Sequence, residues 1–327
     1  MVHPAEIAEK IYMIDDQLYS IPQYGSVYLL NEEKKALVDS GPSTSAGVVL
    51  DGIRESGVSP EDIDYLTVTH IHSDHDGGVG LPIKNMPKAQ VLVHHRRAKH
   101  LIGPSKLVSS ALAAQDGVEE GLLNEAEILP IEVERVRPVY DGDVIELGEQ
   151  QVLRIIEAPG HAPHELCIYE SRNSGVFAGD AASSCVGENK TLVMVNPTPS
   201  FNADLSIDTL KRLMELKASR IYFTYFGMSC EVQQKLQLAM DALQAWDDII
   251  SESVRANELD GVAERLLIQA GMVLEPPRKE WPLLYEYLAK HNMPMSVEGY
   301  LKYYQDEHGV ELDKRRNGES NQRENRK

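Results

Sequence analysis

Residues 69–78 read Thr69-His70-Ile71-His72-Ser73-Asp74-His75-Asp76-Gly77-Gly78, a stretch that holds three histidines and two aspartates. It directly follows Tyr65-Leu66-Thr67-Val68, an apolar run typical of a β-strand. Imidazole and carboxylate groups are the ligands of zinc and of non-haem iron or manganese. A loop at the end of a strand can direct neighbouring side chains at one centre. The stretch therefore predicts a metal site.

The spacing within this loop indicates two ions. His70 and His72 are two residues apart and can hold one ion, while Asp74 and His75 follow closely enough to reach a second. The alternative is a polar turn capped by Asp and Gly. That alternative is weaker, because so many ionisable groups in one loop are costly to desolvate without an ion.

The same stretch resembles the His-x-His-x-Asp-His signature of the metallo-β-lactamase fold superfamily. The resemblance implies an α/β fold, namely a four-layer αββα sandwich. Upstream, Ala36-Leu37-Val38-Asp39-Ser40-Gly41 resembles the first motif of that family. The aspartate of that motif lies under the metal loop, so the resemblance makes Asp39 a support and not a ligand.

Two downstream segments complete the ligands that the resemblance implies. Ala158-Pro159-Gly160-His161-Ala162-Pro163-His164 resembles the Pro-Gly-His segment whose histidine completes the first metal position. Gly175-Val176-Phe177-Ala178-Gly179-Asp180 resembles the strand that delivers a carboxylate between both metals. The implied ligand groups are His70, His72 and His161 for the first ion, and Asp74, His75 and Asp180 for the second. His164 is expected to lie behind the ligands or to face the substrate.

The chain departs from the family at its final ligand. The family places a histidine near position 225, where this chain reads Phe223-Thr224-Tyr225-Phe226-Gly227, and there is no histidine between His164 and His291. The second metal site is therefore expected to be weakened. Two roles stay open for Tyr225: a phenolate ligand, which suits iron(III), or a phenol that donates a hydrogen bond to substrate or bound water.

Composition limits the classes of partner. The 327 residues carry a formal net charge of −19, which argues against a nucleic-acid partner. Cys167, Cys185 and Cys230 are widely spaced and odd in number, as expected of reduced packing residues in a cytoplasmic protein. Neither a signal-peptide pattern nor an apolar run of about 18 residues occurs, so we expect no membrane association.

The pattern of elements predicts three parts. Residues 1–229 are expected to form the catalytic domain. Residues 230–312 form a helical extension, since apolar residues recur there at steps of three and four, with Pro276-Pro277 and Pro294 separating its helices. This aromatic-rich extension could cover the active site or form a homodimer surface. Residues 313–327 are expected to be a disordered polar tail.

Residues 94–107 are expected near the substrate pocket. His94 and His95 follow the strand-like run Val91-Leu92-Val93 and are predicted to be surface or pocket-rim residues, because the ligand set is complete without them. Residues 100–107 resemble an insertion in a hydrolase-like branch of the superfamily and are expected to shape the pocket.

The function that the resemblance implies is metal-assisted hydrolysis of a small organic substrate, with an ester, thioester or lactone preferred. Asp74, Asp180 and Tyr225 are the predicted catalytic residues. Two divalent ions are expected, zinc first, with iron or manganese as alternatives. Two other functions stay open: a di-iron protein that binds oxygen as a sensor or redox protein, and a degenerate member that keeps metal and binds a partner.

Overall fold

Two large β-sheets form the middle of the protein. The computed structural model describes residues 4–114, 128–186, 191–193, 200–270, 279 and 282–310. Within those ranges the first sheet has seven strands that lie side by side in chain order. They are β1 (Ala5–Ala8), β2 (Ile11–Asp15), β3 (Ser26–Leu30), β4 (Lys35–Val38), β5 (Ile63–Thr67), β6 (Gln90–His94) and β7 (Val136–Val139). Strands β1 to β4 pair antiparallel, whereas β4 to β7 pair parallel.

The second sheet follows in the chain. The later strands are β8 (Val144–Gly148), β9 (Gln151–Glu157), β10 (Leu166–Glu170), β11 (Gly175–Phe177), β12 (Ser184–Val186), β13 (Thr191–Val193), β14 (Arg220–Tyr222) and β15 (Met228–Ser229). The order in the sheet is β15-β14-β11-β10-β9-β8, while β12 and β13 pair separately. Strands β8 and β9 pair antiparallel and form a hairpin, with Gly148 opposite Gln151.

Helices cover the outer faces of both sheets. Those of the described ranges are α1 (Ala46–Glu55), α2 (Ala98–Ile102), α3 (Ser105–Ala114), α4 (Ala203–Glu215), α5 (Val232–Ala256), α6 (Val262–Gln269), α7 (Pro282–Tyr287) and α8 (Met293–His308). Short 3₁₀ turns precede several of the elements, at Leu18–Ser20, Ser43–Ser45, Pro60–Asp62, Pro82–Asn85 and Val133–Arg135.

The alternation of side chains along the strands builds the layers. In β3, Tyr28 and Leu30 face the second sheet, whereas Leu29 faces the opposite way, toward the layer that contains α1. In β9, Ile155 faces the first sheet and Ile156 faces the helices on the outer side. Each sheet is therefore apolar on both faces and lies between another sheet and a helical layer. The predicted αββα sandwich is confirmed.

The C-terminal helices share a core with the second sheet. One buried cluster contains Ile221 of β14, Leu210 of α4, Trp246 of α5 and Tyr300 of α8. The Tyr300 hydroxyl donates to the carbonyl of Leu243 at 3.0 Å. The helical extension is confirmed, and its packing is continuous with that of the sandwich. The boundary at residue 229 stays a prediction, and the predicted tail at 313–327 lies outside the described residues.

The prediction that Pro294 separates two helices is wrong. A π-helical turn, Leu288–Asn292, connects α7 to α8, and Pro294 lies in the first turn of α8. Proline lacks a backbone N–H, but the first turn of a helix leaves that donor unused in any case. The chain therefore stays helical from Pro282 to His308.

Both sheets place their functional loops at one edge. Strands β4, β5 and β6 are parallel, so the loops that follow Val38, Thr67 and His94 leave from the same side. Strands β9, β11 and β14 share one direction in the second sheet, because β10 is antiparallel to both β9 and β11. The segments that hold the predicted ligands therefore converge, as the carboxyl ends of parallel strands do.

Gly160 sets the distance between the Pro-Gly-His loop and α4. Its φ is 152°, and a Cβ there would lie 2.5 Å from Cα of Ser206. We expect Gly160→Ala to lower the free energy of unfolding by at least about 2 kcal/mol, since backbone atoms must move apart. Gly47→Ala in α1 is the control, because open space surrounds that position and alanine favours a helix by roughly 0.5–1 kcal/mol. Urea unfolding measures both, and equal effects would contradict the prediction.

Candidate metal centre

The metal loop is a tight turn that starts where β5 ends. The N–H of Val68 still donates to the Leu92 carbonyl of β6 at 2.9 Å. The chain then coils, and the N–H of His75 donates to the His72 carbonyl at 2.9 Å. Gly77 closes the turn, where a Cβ would lie 2.2 Å from the Ser73 carbonyl oxygen. The glycine is required by close packing of the backbone, and the coil brings the loop's imidazoles together.

Asp39 lies beneath this loop and holds its first residue. Its Oδ1 accepts hydrogen bonds from the backbone N–H of Thr69 at 2.8 Å and from the Thr69 hydroxyl at 2.9 Å. Its Oδ2 lies 3.6 Å from Nδ1 of His75. Asp39 is buried and has a φ of 64°, a conformation that aspartate tolerates better than most residues. The position agrees with the predicted supporting role.

Three histidine nitrogens converge on one point. Nδ1 of His72 lies 2.9 Å from Nε2 of His70 and 3.0 Å from Nε2 of His161. A neutral imidazole has one N–H, so these three nitrogens cannot all be satisfied by one another. Two nitrogens on a tetrahedral zinc ion at about 2.0–2.1 Å each would lie about 3.3 Å apart. The spacing is close to that value, so this group can hold a metal ion.

Asp180 lies between this group and a second one. Its Oδ2 is 3.3 Å from Nε2 of His161, and its Oδ1 is 3.4 Å from Nε2 of His75. The second group, His70, His75 and Asp180, also brings its ligand atoms within 4.8 Å of one another. Asp74 adds an oxygen 3.3 Å from Nε2 of His75. The two carboxylate oxygens of Asp180 thus face different groups, as a bridging ligand requires.

Tyr225 reaches the site through Asp74. Its hydroxyl donates to Oδ2 of Asp74 at 2.6 Å, and its ring packs edge-on against the ring of His75 at 5.5 Å. Burial raises the pKa of Tyr225 well above the ordinary value of a phenol, and Asp180 adds to this effect. A neutral phenol that donates to a carboxylate accounts for this contact, and both predicted roles of Tyr225 stay predictions.

Buried polar atoms without partners mark where a cation fits. Both ring nitrogens of His75 and both carboxylate oxygens of Asp180 are buried and have no hydrogen-bond partner among the described residues. Such atoms are costly inside a protein unless an ion or a hydrogen bond compensates them. Imidazole and carboxylate donors suit zinc, iron and manganese. The residues of both groups therefore fit a divalent metal.

The electrostatics of the site favour neutral His70 and His72 and an ionised Asp74, whereas His75 is favoured in its charged form. Burial lowers the pKa of His70 well below its ordinary value, and it lowers the pKa of His72 to about 3. Burial acts in the same direction on the pKa of His75, but Asp180 and Asp74 outweigh it and raise that pKa. Burial would raise the pKa of Asp74, yet His75 holds it below its usual range. Neutral imidazole and carboxylate are the forms that bind a metal.

Two residues beside Asp180 carry further buried polar groups. His164 is buried, with its ring 6.0 Å from that of His72 and its Nδ1 without a partner among the described residues. This agrees with a place behind the ligands. Glu165, which the sequence did not single out, accepts the backbone N–H of Asp180 at 2.5 Å through Oε1. It fixes the loop that carries Asp180, and no local motif distinguishes it.

Four tyrosines form a wall above Asp74, a feature that the sequence did not predict. Tyr24 stacks on Tyr225 at 5.2 Å, and Tyr287 of α7 packs against Tyr24 at 5.9 Å and Tyr19 at 4.9 Å. Tyr19 has a φ of 55°, a strained value of the kind that concentrates at functional sites. Tyr19 and Tyr287 are half-buried. The C-terminal extension therefore supplies part of the wall.

His94 and His95 approach Glu157 and form a third group. Their ring nitrogens lie 3.5 and 3.4 Å from Oε1 of Glu157. Nδ1 of His94 accepts the backbone N–H of Arg96 at 3.1 Å, so a neutral His94 keeps its proton on Nε2 and points an N–H at Glu157. An N–H is not a metal ligand, so this group fits an ion poorly. His94 is buried, so its predicted surface position is wrong, whereas His95 is half-buried and its place at a pocket rim stays a prediction.

The cysteines differ in surroundings. Cys167 is buried and its thiol donates to the Ala178 carbonyl at 3.2 Å, as a packing residue would. Cys230 is exposed, so its predicted packing role is wrong; it lies in the polar turn before α5. The side chain of Cys185 lies outside what the structure describes. Among the helices of the described ranges, none is both long and apolar enough to cross a bilayer.

Comparisons with known proteins point to one family. Residues 21–225 match the family model described as the metallo-beta-lactamase superfamily. An acyl-coenzyme A thioesterase from Bos taurus is 23% identical over 186 residues, which cover 53% of this chain and 64% of that enzyme. An N-acyl homoserine lactonase from a Bacillus species is 25% identical over 235 residues, which cover 63% of this chain and 82% of the lactonase. The match thus spans just under two thirds of the bovine enzyme.

A solved structure agrees over more of the chain. A metallo-beta-lactamase family protein from Thermus thermophilus superposes with a TM-score of 0.65 at 20% identity. The superposition covers 93% of this chain and 95% of that protein. At this identity the likeness shows the fold alone, and it extends over the C-terminal helices as well as the sandwich.

We expect divalent metal to stabilise the protein through the two ligand groups. Zinc at about 1,000 times its dissociation constant adds about 4 kcal/mol to the free energy of unfolding, which raises the Tm of chelator-treated protein by on the order of 10 °C. His72→Ala should lose most of that rise and lower the zinc content measured by elemental mass spectrometry. His95→Ala is the control and should keep both. If zinc raised the Tm of His72→Ala as much as that of wild type, His72 would not be a metal ligand.

Asp16 gives the metal-free protein a pH dependence. Its Oδ1 accepts the N–H of Leu18 at 3.0 Å, but burial raises its pKa to about 7. The unfolded chain ionises near the ordinary value of about 3.9, so this group loses stability as pH rises from there to about 7. Asp16→Asn avoids that loss. We therefore expect the free energy of unfolding of the variant to exceed that of wild type by more at pH 8 than at pH 5. Urea unfolding of chelator-treated protein measures it; a gain independent of pH, or equal in the exposed control Asp260→Asn, would contradict the assignment.

Proposed function

Because this chain belongs to the metallo-beta-lactamase superfamily, we propose that it is a metal-dependent hydrolase that cleaves an ester, thioester or lactone of a small organic molecule. The observation that carries the proposal is the position of Asp180, whose Oδ2 lies 3.3 Å from Nε2 of His161 and whose Oδ1 lies 3.4 Å from Nε2 of His75. A binuclear site of this kind serves hydrolysis well. The hydrolases among the relatives act on thioesters and lactones according to their names, which supports the same substrate class.

The proposed first ligand group is His70, His72 and His161. Asp74, His75 and Asp180 form the proposed second group, which lacks the histidine that the family places near Tyr225. Two divalent ions held there, with zinc preferred, would supply Lewis-acid activation of water and of the scissile carbonyl. The lowered pKa values of His70 and His72 keep both imidazoles neutral at physiological pH, so they are ready to bind.

Asp74 and Tyr225 act as a unit in this proposal. The Tyr225 hydroxyl holds Oδ2 of Asp74 at 2.6 Å, which orients the carboxylate, and His75 keeps it ionised. An ionised, oriented carboxylate can accept a hydrogen bond from the attacking water and align it with the carbonyl. Water then adds to the acyl carbon, and the alcohol or thiol leaves with a proton. Tyr225 is thus a positioning residue in this mechanism.

The tyrosine wall supports a small organic substrate. Tyr19 and Tyr287 are half-buried above Asp74, and their rings are 4.9 Å apart. Aromatic faces next to a reactive centre provide apolar contact for an acyl chain or ring and exclude water. A nucleic acid is a poor candidate for this chain, since its formal charge is −19. We therefore propose a small molecule as the partner.

The di-iron alternative includes Tyr225 as a possible ligand. The Tyr225 hydroxyl is already engaged by Oδ2 of Asp74 at 2.6 Å, so we place the hydrolase first. The third possibility, a metal-bound interaction protein, would leave the converging ligand atoms without a catalytic use. Metal identity and turnover separate the three.

We expect the zinc-loaded protein to hydrolyse at least one compound in a panel of thioesters, aryl esters and lactones. Asp180→Asn should lower kcat/KM by at least about 100-fold, because it removes a negative charge shared by both metal positions. Tyr225→Phe should lower kcat/KM by about tenfold and leave the metal content unchanged. Asp143→Asn, in the β7–β8 turn, is the control. Steady-state rates and elemental mass spectrometry are the measurements.

The same experiment can overturn the proposal in two ways. Two iron atoms per chain in protein purified without added metal, with an absorption band that Tyr225→Phe removes, would favour the oxygen-binding alternative. No turnover across the panel, together with a stable partner complex, would favour the interaction protein. Turnover that survives Asp180→Asn would remove the bridging assignment.

A further inference from the structure

A long basic segment interrupts this acidic chain. Residues 77–115 contain no Asp or Glu, although the chain as a whole has a formal net charge of −19. The segment carries six cationic side chains: Lys84, Lys88, Arg96, Arg97, Lys99 and Lys106. A run of like charge is usually only a solvated surface. Its position in the fold decides whether it is more than that.

Part of the segment lies beside the metal loop. Strand β6 pairs parallel with β5, and Leu92 is opposite Thr67, two residues before the loop's first residue, Thr69. The chain leaves β6 after His94 and turns, with the N–H of Arg97 donating to the His94 carbonyl at 2.8 Å. Arg97 therefore lies at the same edge of the sheet as the ligand groups. Lys88 precedes β6 and lies at the opposite edge, where it pairs with Asp64 at 3.1 Å.

Arg97 is a partly desolvated cation without an acidic partner. Its side chain is half-buried, and its Nη1 lies 3.4 Å from Nε2 of His100. Among the described residues, no carboxylate oxygen lies within ion-pair distance of the guanidinium. Burial lowers the pKa of Arg97, so the surroundings disfavour the charge and nothing described offsets it. A bound anion would offset it.

His164 lies close to the first ligand group, and the charge of Arg97 acts on it. Burial, His72 and Arg97, in that order, lower the pKa of His164 to about 2. The His164 ring lies 6.0 Å from that of His72, and its buried Nδ1 has no hydrogen-bond partner among the described residues. An unpartnered polar atom thus lies close to the first ligand group, and a guanidinium without an acidic partner among the described residues follows β6 at the same edge of the sheet.

We infer that Arg97, with His100 beside it, forms an anion subsite next to His70, His72 and His161, and that this subsite binds a carboxylate or phosphate group of the substrate. The inference rests on the proposed function and narrows it to esters or thioesters that carry such a group. A guanidinium matches both anions with two parallel hydrogen bonds. The local cation also offsets the negative field of the chain, which would otherwise oppose the approach of an anion.

Three thioesters that carry no anion, a carboxylate or phosphates test the subsite. S-acetyl-N-acetylcysteamine carries none, S-succinyl-N-acetylcysteamine carries a carboxylate, and acetyl-coenzyme A carries phosphates. Zinc-loaded wild type, Arg97→Gln, Arg97→Lys and the control Lys88→Gln are compared by kcat/KM. The pattern across the three substrates separates a carboxylate subsite from a phosphate subsite.

The loss of one charged hydrogen-bonding partner costs about 1.5–3 kcal/mol, which corresponds to roughly 10- to 100-fold in kcat/KM. We expect Arg97→Gln to lower kcat/KM at least about tenfold on the thioester whose anion the subsite binds, mainly through a higher KM. On the neutral thioester the decrease in kcat/KM should be less than about twofold. Arg97→Lys should recover part of the loss because it keeps the charge. Lys88→Gln should change none of the three. Equal losses on all substrates, or no loss on any, would overturn the subsite.

Binding is measured in parallel, so that failure of the subsite and failure of the hydrolase are distinguishable. Desulfo-coenzyme A and glutarate are titrated calorimetrically into zinc-loaded wild type, Arg97→Gln and Lys88→Gln. If no thioester is hydrolysed but Arg97→Gln weakens one probe about tenfold, the subsite stands and the proposed thioesterase activity fails. If neither probe is weakened by Arg97→Gln while Lys88→Gln matches wild type, the subsite is wrong whatever the turnover.

Discussion

The structure depends on burying imidazoles and carboxylates together at one edge of the sandwich. His70, His75 and Asp180 are almost fully buried, and several of their polar atoms have no hydrogen-bond partner among the described residues. Such a cluster is costly unless a cation compensates it. The hydrogen bonds that Thr69 donates to Asp39 hold the metal loop in place. The parallel strands bring the other ligand segments to the same edge. A bound cation would therefore stabilise the fold.

The sequence predicted this cluster only in part from local pattern. The loop at residues 69–78 is recognisable because its ligands are adjacent in the chain. Helix periodicity predicted α5, whereas the sandwich was predicted by the family resemblance. His161 and Asp180 are about 90 and 110 residues from the loop, so only the family resemblance connected them to it. Geometry then placed their ligand atoms within a few ångströms of the loop. Adjacent ligands can be read from spacing, whereas distant ones need topology or a known pattern.

The structural features that were not predicted have no local signal in the sequence. Asp16 and Glu165 are single acidic residues whose importance comes from burial and from contacts across the fold. Tyr287 reaches the site from α7, more than 200 residues after the loop, so no window of sequence connects it to Asp74. The prediction from Pro294 was wrong because a proline in the first turn of a helix and a proline that ends a helix look the same in the sequence. Tertiary context decides between them.

The surroundings of the ligand groups are asymmetric, and this asymmetry constrains how a substrate can lie. The tyrosine wall adjoins Asp74, whereas Arg97 follows β6, the strand next to the one that leads into the metal loop. An apolar portion gains most from aromatic contact, and a charged portion gains most from a guanidinium. A substrate with one apolar and one anionic end would therefore place the bond between them over the ligand groups. Because the C-terminal extension contributes Tyr287 to the aromatic side, its ring contacts are consistent with a cover over the site, and both this role and a homodimer surface stay predictions.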